Sequence, residues 1–240
     1  MTQPSRPPGE RGSATDRVYA ILKEQILTCQ LVPGASLNEG RLAEGLNVSK
    51  TPIREALAIL VHEGFVEVLP RQGYRVRELA IADVQEIFQM LLLLEPAAAS
   101  LAAQRATPDQ LRELRALAEE SDHADDFVAF VGRNRDFHVR LAEAGGNARL
   151  AATLRHTLEE LQRLYLAGPD LRLAVEAHHG EHADLVAALL KGNHHQAQSI
   201  AARQIEASRE RMMDALFKAM SEPGAVGVKL TIESRSRRGP

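Results

Sequence analysis

Val18, Ile21, Leu22, Gln25 and Ile26 recur at helical spacing and predict an amphipathic helix over about residues 16–29, with Thr15 as its N-cap. The Leu31-Val-Pro-Gly stretch ends it. A short helix over about residues 39–46 is introduced by Asn38. After a turn, Ser49 caps a third helix, whose apolar face is Ile53, Ala56, Leu57 and Leu60 and which stops at Gly64. The period then changes. Phe65-Val-Glu-Val-Leu and Tyr74-Arg-Val-Arg alternate around the turn Pro70-Arg-Gln-Gly and predict a short hairpin. Helix, helix, turn, helix and hairpin make a winged helix-turn-helix.

Beyond about residue 82 only helical period remains. Six helices are predicted, over about 83–105, 108–121, 126–144, 148–167, 171–191 and 194–220. Thr107-Pro-Asp-Gln is a capping box with proline at the first helical position, and Gly145-Gly-Asn, Gly168-Pro and Gly192-Asn punctuate the series. Short connections make neighbouring helices antiparallel. The expected fold is mainly α: a winged helix-turn-helix over residues 15–78 and a six-helix antiparallel bundle over 79–222. A disordered arm (1–14) precedes them and a flexible basic tail (223–240) follows.

Composition narrows the class. With 45% hydrophobic and 25% charged residues the chain is globular, and the most apolar run, Met90 to Leu94, ends at Glu95, short of a bilayer span. A lone cysteine, Cys29, cannot close an internal disulfide, and no apolar leader occupies the first thirty residues. These features predict a cytoplasmic protein with no membrane partner. The net charge of −3 is unevenly spread. Residues 15–78 hold 8 Lys/Arg against 8 Asp/Glu, whereas 79–222 hold 15 against 22, so a polyanion would be met by a polarised face of the first domain.

Asn47-Val-Ser-Lys-Thr-Pro-Ile-Arg supplies that face. In a helix-turn-helix the N-terminal end of the second helix enters the major groove. Lys50 and Arg54 stand one turn apart, Ser49 and Thr51 can donate to phosphates beside the open backbone N–H groups, and Pro52 lies in the first turn, where its missing N–H costs little. The plain alternative is a solvated face in which Lys50 and Arg54 pair with Glu55 or Glu63. In the bundle, Phe127, Phe130, Val131, Asn134, Phe137, His138 and Leu141 share one stripe, and Leu171, Val175, His178, His182, Leu185, Val186 and Leu189 share another. Imidazoles turned inward on two helices must bond to each other, to a ligand or to a metal.

Val18-Tyr-Ala-Ile-Leu-Lys, Leu31-Val-Pro-Gly-Ala-Ser-Leu-Asn-Glu, Val48-Ser-Lys-Thr-Pro-Ile-Arg-Glu-Ala-Leu and Leu60-Val-His-Glu-Gly-Phe-Val together resemble the DNA-binding half of the GntR family of bacterial transcription regulators. Phe137-His, Ala142-Glu-Ala-Gly-Gly-Asn and Glu181-His-Ala-Asp-Leu-Val-Ala-Ala-Leu resemble the ligand-sensing FCD domain of its FadR subfamily, and six helices match the VanR-like branch. The resemblance implies DNA contacts from Ser49, Lys50, Thr51 and Arg54 and from the wing turn Arg71, Gln72 and Gly73. Arg41 stands in for an arginine that relatives carry where this chain has Gly40.

It also implies a sensor pocket at Leu91, Asn134, His138, His178, His182 and Gln204, where relatives bind an effector and often one divalent metal such as zinc. Asn134 and Gln204 replace an aspartate and a histidine, Leu91 replaces an arginine, and His178 is a candidate third nitrogen ligand beside His138 and His182. The implied protein is not an enzyme. It is a homodimeric regulator, in the repressing sense, of a double-stranded DNA operator, released by a small metabolite. The rival reading is a metal-dependent enzyme using the histidine-lined core. It lacks a nucleophile elbow, a P-loop and HExxH, and no inward carboxylate is evident as a general base.

Overall fold

The computed structural model describes residues 13–122, 126–167 and 181–221. His178, the helix start expected at 171, nearly all of the arm and the tail lie outside these residues. The described chain forms two compact units, residues 13–26 with 30–77, and 27–29 with 78–221.

In the first unit, α1 spans Ala14–Leu27, α2 Glu39–Gly45 and α3 Lys50–His62. The cap of α1 is Ser13, not Thr15. Ser13 Oγ accepts from the Asp16 N–H at 3.1 Å while Asp16 accepts from the Ser13 N–H at 2.7 Å, a reciprocal box that one threonine hydroxyl cannot match. Asn38 caps α2 by accepting from the Gly40 and Arg41 N–H groups. The turn to α3 uses Asn47 at φ 52°, a left-handed conformation that asparagine tolerates. Ser49 holds the cap position of α3 with extended backbone, yet its hydroxyl makes no capping bond. Along α3, Pro52, Ile53, Ala56, Leu57 and Leu60 are buried, so the proline packs inward as well as fixing the helix entry. Gly64 at φ 80° closes the helix and lets the Phe65 N–H reach the Leu60 carbonyl at 3.0 Å.

A three-stranded antiparallel sheet completes the unit. Strands β1 (Ser36–Leu37), β2 (Val66–Leu69) and β3 (Gly73–Val76) lie in the order β1-β3-β2, with Glu67 opposite Arg75 and Val66 opposite Val76. The hairpin is as expected. Strand β1 is an addition, too short for any period to announce it. Tyr19, Lys23 and Glu63 tie α1 to the end of α3: the tyrosine hydroxyl donates to Glu63 at 2.7 Å and Lys23 reaches the same carboxylate at 3.0 Å. Burial, and then the Glu63 bond, push the Tyr19 phenol above its ordinary pKa.

The second unit is an all-helical bundle: α4 Ile81–Arg105, α5 Pro108–Asp122, α6 Phe127–Ala144, α7 Ala148–Ala167, α8 Glu181–Leu190 and α9 His194–Ser221. Thr107 and Gln110 form the expected capping box, and Asp126 caps α6 through the Ala129 N–H. Helix α4 packs against α6, α7, α8 and α9, which makes it the bundle's axis. Its length and composition alone would suit a bilayer, but Val84, Ile87, Phe88, Leu91, Ala98, Ala99 and Ala102 are spent inside the bundle. The core falls into two apolar clusters. One changes to the other between Ala98 and Ala99 on α4 and between Ala201 and Ile205 on α9. Polar residues collect at that boundary.

Leu57→Ala, at a fully buried α3 position, is expected to lower stability by about 2–5 kcal/mol, whereas Val68→Ala on the exposed hairpin changes it by less than about 0.5 kcal/mol. Urea unfolding of the two variants checks the contrast.

Candidate nucleic-acid interface and buried polar site

The first unit exposes a set of polar residues on α2, on α3 and in the hairpin turn. Ser49, Lys50, Thr51 and Arg54 at the start of α3, Arg41 on α2, and Arg71, Gln72 and Gly73 in the hairpin turn are all exposed, while the opposite face of α3 is sealed in the core. Pro52 has no N–H, so the N–H groups left open at the start of α3 are those of Lys50 and Thr51, and the Ser49 hydroxyl beside them is not used for capping. The turn of the hairpin is shaped by positive φ at Arg71 (64°) and Gly73 (97°). Pairings within this surface differ from the plain alternative. Glu55 accepts from Thr15 and Glu63 serves Tyr19 and Lys23, so neither serves Arg54; Arg54 is instead bound through Nε to Glu39 Oε2 at 2.6 Å.

The bundle encloses a second polar site. Glu95 on α4 is 1% exposed, and its Oε2 lies 2.9 Å from Nδ1 of the buried His138 on α6. The contact is close but bent, since neither atom has a well-aligned hydrogen bond among the described residues. On the other side of the His138 ring, Nε2 faces Nε2 of His182 on α8 at 3.4 Å. Phe137 packs against the His182 ring at 4.1 Å between centroids, the two planes tilted by 38°. The order is carboxylate, imidazole, imidazole. Asn134, Gln204, Tyr165 and Ser208 line the same cavity, and the last two share a buried hydroxyl bond of 2.6 Å.

This cavity measures about 30 Å³. That is the share of one water in the liquid and far below the roughly 300–1,000 Å³ of sites that enclose a metabolite. In this conformation it suits an ion or a water. Two imidazole nitrogens on a tetrahedral zinc, each about 2.0–2.1 Å from it, stand roughly 3.3–3.4 Å apart, so the His138–His182 spacing is that of two ligands of one cation. The Asn134 and Gln204 amides would complete the set. All four donors are neutral, and among the described residues no group of three His, Cys, Asp or Glu converges on a point, because Glu95 stands behind His138 rather than beside it. A carboxylate there would orient the ligand imidazole from the second sphere. A larger cleft of about 510 Å³ opens between α4 and α9, bounded by Gln85, Phe88, Gln89, Arg209, Glu210, Met213 and Asp214.

Asn134, His138, His182 and Gln204, expected together, do line one cavity. Leu91 does not; it is fully buried in the apolar core one turn before Glu95. His178 lies outside the described residues. Glu95 corrects the expectation that no carboxylate points inward. Its signal was present: Leu91, Ala98 and Ala99 flank it at helical spacing, which puts it on the core face, but as the end of an apolar run it passes for a boundary. Tyr165 and Ser208 carried no comparable signal.

The sequence pattern of bacterial regulatory proteins of the gntR family matches residues 14–76, and that of the FCD domain matches residues 86–222.

The chain belongs to the GntR family.

Its second unit is an FCD domain. Among relatives of this GntR chain, the Nta operon transcriptional regulator of Aminobacter aminovorans is 34% identical over 132 residues, 54% of this chain and 63% of that protein. The chain therefore spans a little under two thirds of that relative. The HTH-type transcriptional regulator McbR of Escherichia coli (strain K12) is 33% identical over 169 residues, 69% of this chain and 73% of its own length. Among solved structures, E. coli McbR/YncC superposes with a TM-score of 0.70 at 29% identity, covering 87% of this chain and 99% of that one. These relatives carry the names of regulators, not enzymes, in keeping with the expectation from the motifs.

His138→Ala is expected to strip the buried Glu95 of its partner and to destabilise the metal-free GntR chain by about 3–5 kcal/mol, while Glu95→Leu combined with His138→Leu costs far less. Denaturant unfolding of the single and double variants measures the difference.

Proposed function

We propose that the chain is a ligand-responsive transcription regulator that binds a near-palindromic DNA operator as a homodimer, with residues 15–78 as the reading head and 79–222 as the sensing and dimerising domain. The observation that carries the reading is the split of α3: its inner face is sealed by Ile53, Ala56, Leu57 and Leu60, while Lys50, Thr51 and Arg54 stand exposed. Arg54 is suited to a guanine edge, Lys50 and Ser49 to phosphates, and Arg71, Gln72 and Gly73 to the adjacent minor groove. Such a protein acts as a repressor in the cytoplasm. A two-fold dimer matches an operator of two half-sites about one helical turn apart. The exposed Leu93 and Met90 on α4 offer apolar surface for that dimer.

In the sensing domain, His138 and His182, completed by Asn134 and Gln204, would hold one divalent cation such as zinc. The bound ion would supply a fixed positive charge at the bundle's centre. Glu95 holds the His138 ring so that Nε2 faces the cavity. With room for only an ion, the closed cavity admits a metabolite only if the helices around it separate, so effector binding selects a different bundle arrangement and is thereby coupled to DNA affinity.

Fluorescence anisotropy with the duplex upstream of the protein's own gene is expected to show salt-sensitive binding. Arg54→Ala weakens it by about 1–3 kcal/mol, and Lys50→Ala lowers the slope of log K against log salt by about one. Binding that is equally weak for all sequences overturns the reading. For the cation, Asn134→Asp restores an anionic ligand and is expected to raise zinc affinity at least about tenfold in competition with a chromophoric chelator. Unchanged affinity removes Asn134 from the ligand set.

A further inference from the structure

We infer that Glu39 is a positioning residue for base reading: it holds the Arg54 guanidinium by Nε so that the Nη1/Nη2 edge is set for guanine. The inference rests on the DNA-binding reading above. Arg54 projects from α3 with its side chain 63% exposed, and a long exposed arginine ordinarily samples many rotamers. Here it is tethered. Nε donates to Glu39 Oε2 at 2.6 Å, and the Glu39 side chain is only 24% exposed, so the carboxylate is the fixed member of the pair.

Glu39 is itself placed twice over. It is the first residue of α2, where a carboxylate is favoured by the helix dipole, and Asn38 clamps that turn through the Gly40 and Arg41 N–H groups. A Cβ on Gly40 would stand 3.2 Å from Asn38 Oδ1, so glycine at 40 keeps the clamp tight. The hydrogen bond to Glu39 is made through Nε, which leaves the end-on pair of Nη groups, matching O6 and N7 of guanine, outside that bond. Ordering the side chain before DNA arrives removes part of the entropy cost of specific binding.

The charge of Glu39 works against its role, and that makes the test sharp. Removing a carboxylate from a DNA-facing surface strengthens binding to any duplex, because the repulsion of phosphates falls. A loss confined to specific binding therefore comes from lost positioning or from a lost base contact of Glu39 itself, and the Arg54→Ala background separates the two. The probes are a duplex enriched from a randomised pool by the full-length wild-type chain, and poly(dI-dC) as non-specific competitor. Glu39→Gln is expected to weaken binding to the enriched duplex about tenfold while poly(dI-dC) binding holds or rises. Glu39→Asp, charged but one methylene short, is expected to lose affinity for the enriched duplex with poly(dI-dC) binding unchanged, and the effect of Glu39→Gln should vanish in an Arg54→Ala background. If Glu39→Gln and Glu39→Asp leave the ratio of the two affinities unchanged, Glu39 does not position Arg54 and the regulator reading stands. A wild-type chain that enriches no duplex overturns both.

Discussion

The bundle is organised around a carboxylate that water does not reach. Glu95 sits midway along α4, the helix that packs against four others, and a group of that polarity cannot be left alone in an apolar interior. Its partner is His138, and the partnership dictates the rest. With Nδ1 turned to Glu95, the His138 Nε2 must face the other way, where His182 packs against the Phe137 ring. The side chains of five helices are committed to one small polar volume at the seam between two apolar clusters. Bundles are bistable where packing and polar satisfaction conflict, so this seam is the place where an added ion or ligand has most leverage.

The first unit solves a different problem, which is to expose cations without loosening the helix that carries them. Helix α3 does so by strict division of faces, and by a proline whose ring packs inward at a position where no N–H is needed. The carboxylates of this unit are spent on fixing geometry: Glu63 secures α1 through Tyr19 and Lys23, and Glu39 restrains Arg54. Equal numbers of acids and bases thus give a polarised surface, not a neutral one. Charge counts alone could not separate those cases.

Much of this was legible in the residues. The helices of both units followed from period and punctuation: Thr107 opens a long amphipathic segment, and Asn38 introduces the short α2 after the Leu31-Val-Pro-Gly break. Local competition decided what was misjudged. Ser13 and Asp16 cap α1 reciprocally and outdo Thr15, and β1 exists only because β3 offers it an edge. At the buried site Asn134, His138 and His182 were readable on inward stripes of two helices, while Gln204 came only from the family resemblance. Glu95 was not, since one charge closing an apolar run looks like a surface boundary until the packing of α4 is known. Leu91 shows the reverse error: its helical neighbourhood is right, but a leucine there belongs to the core and not to the cavity.

If the proposed DNA-reading surface and the cation-sized cavity of the FCD bundle are linked, cation binding changes DNA affinity. The direct measurement is the affinity of the full-length chain for its enriched duplex, with and without saturating zinc, in the wild type and in Asn134→Ala. Such linkage changes the wild-type DNA affinity by about 5- to 150-fold on adding zinc, with a matching change in zinc affinity on adding DNA, and little change in the variant. Identical DNA affinity with and without zinc, in protein shown to bind the metal, would contradict it.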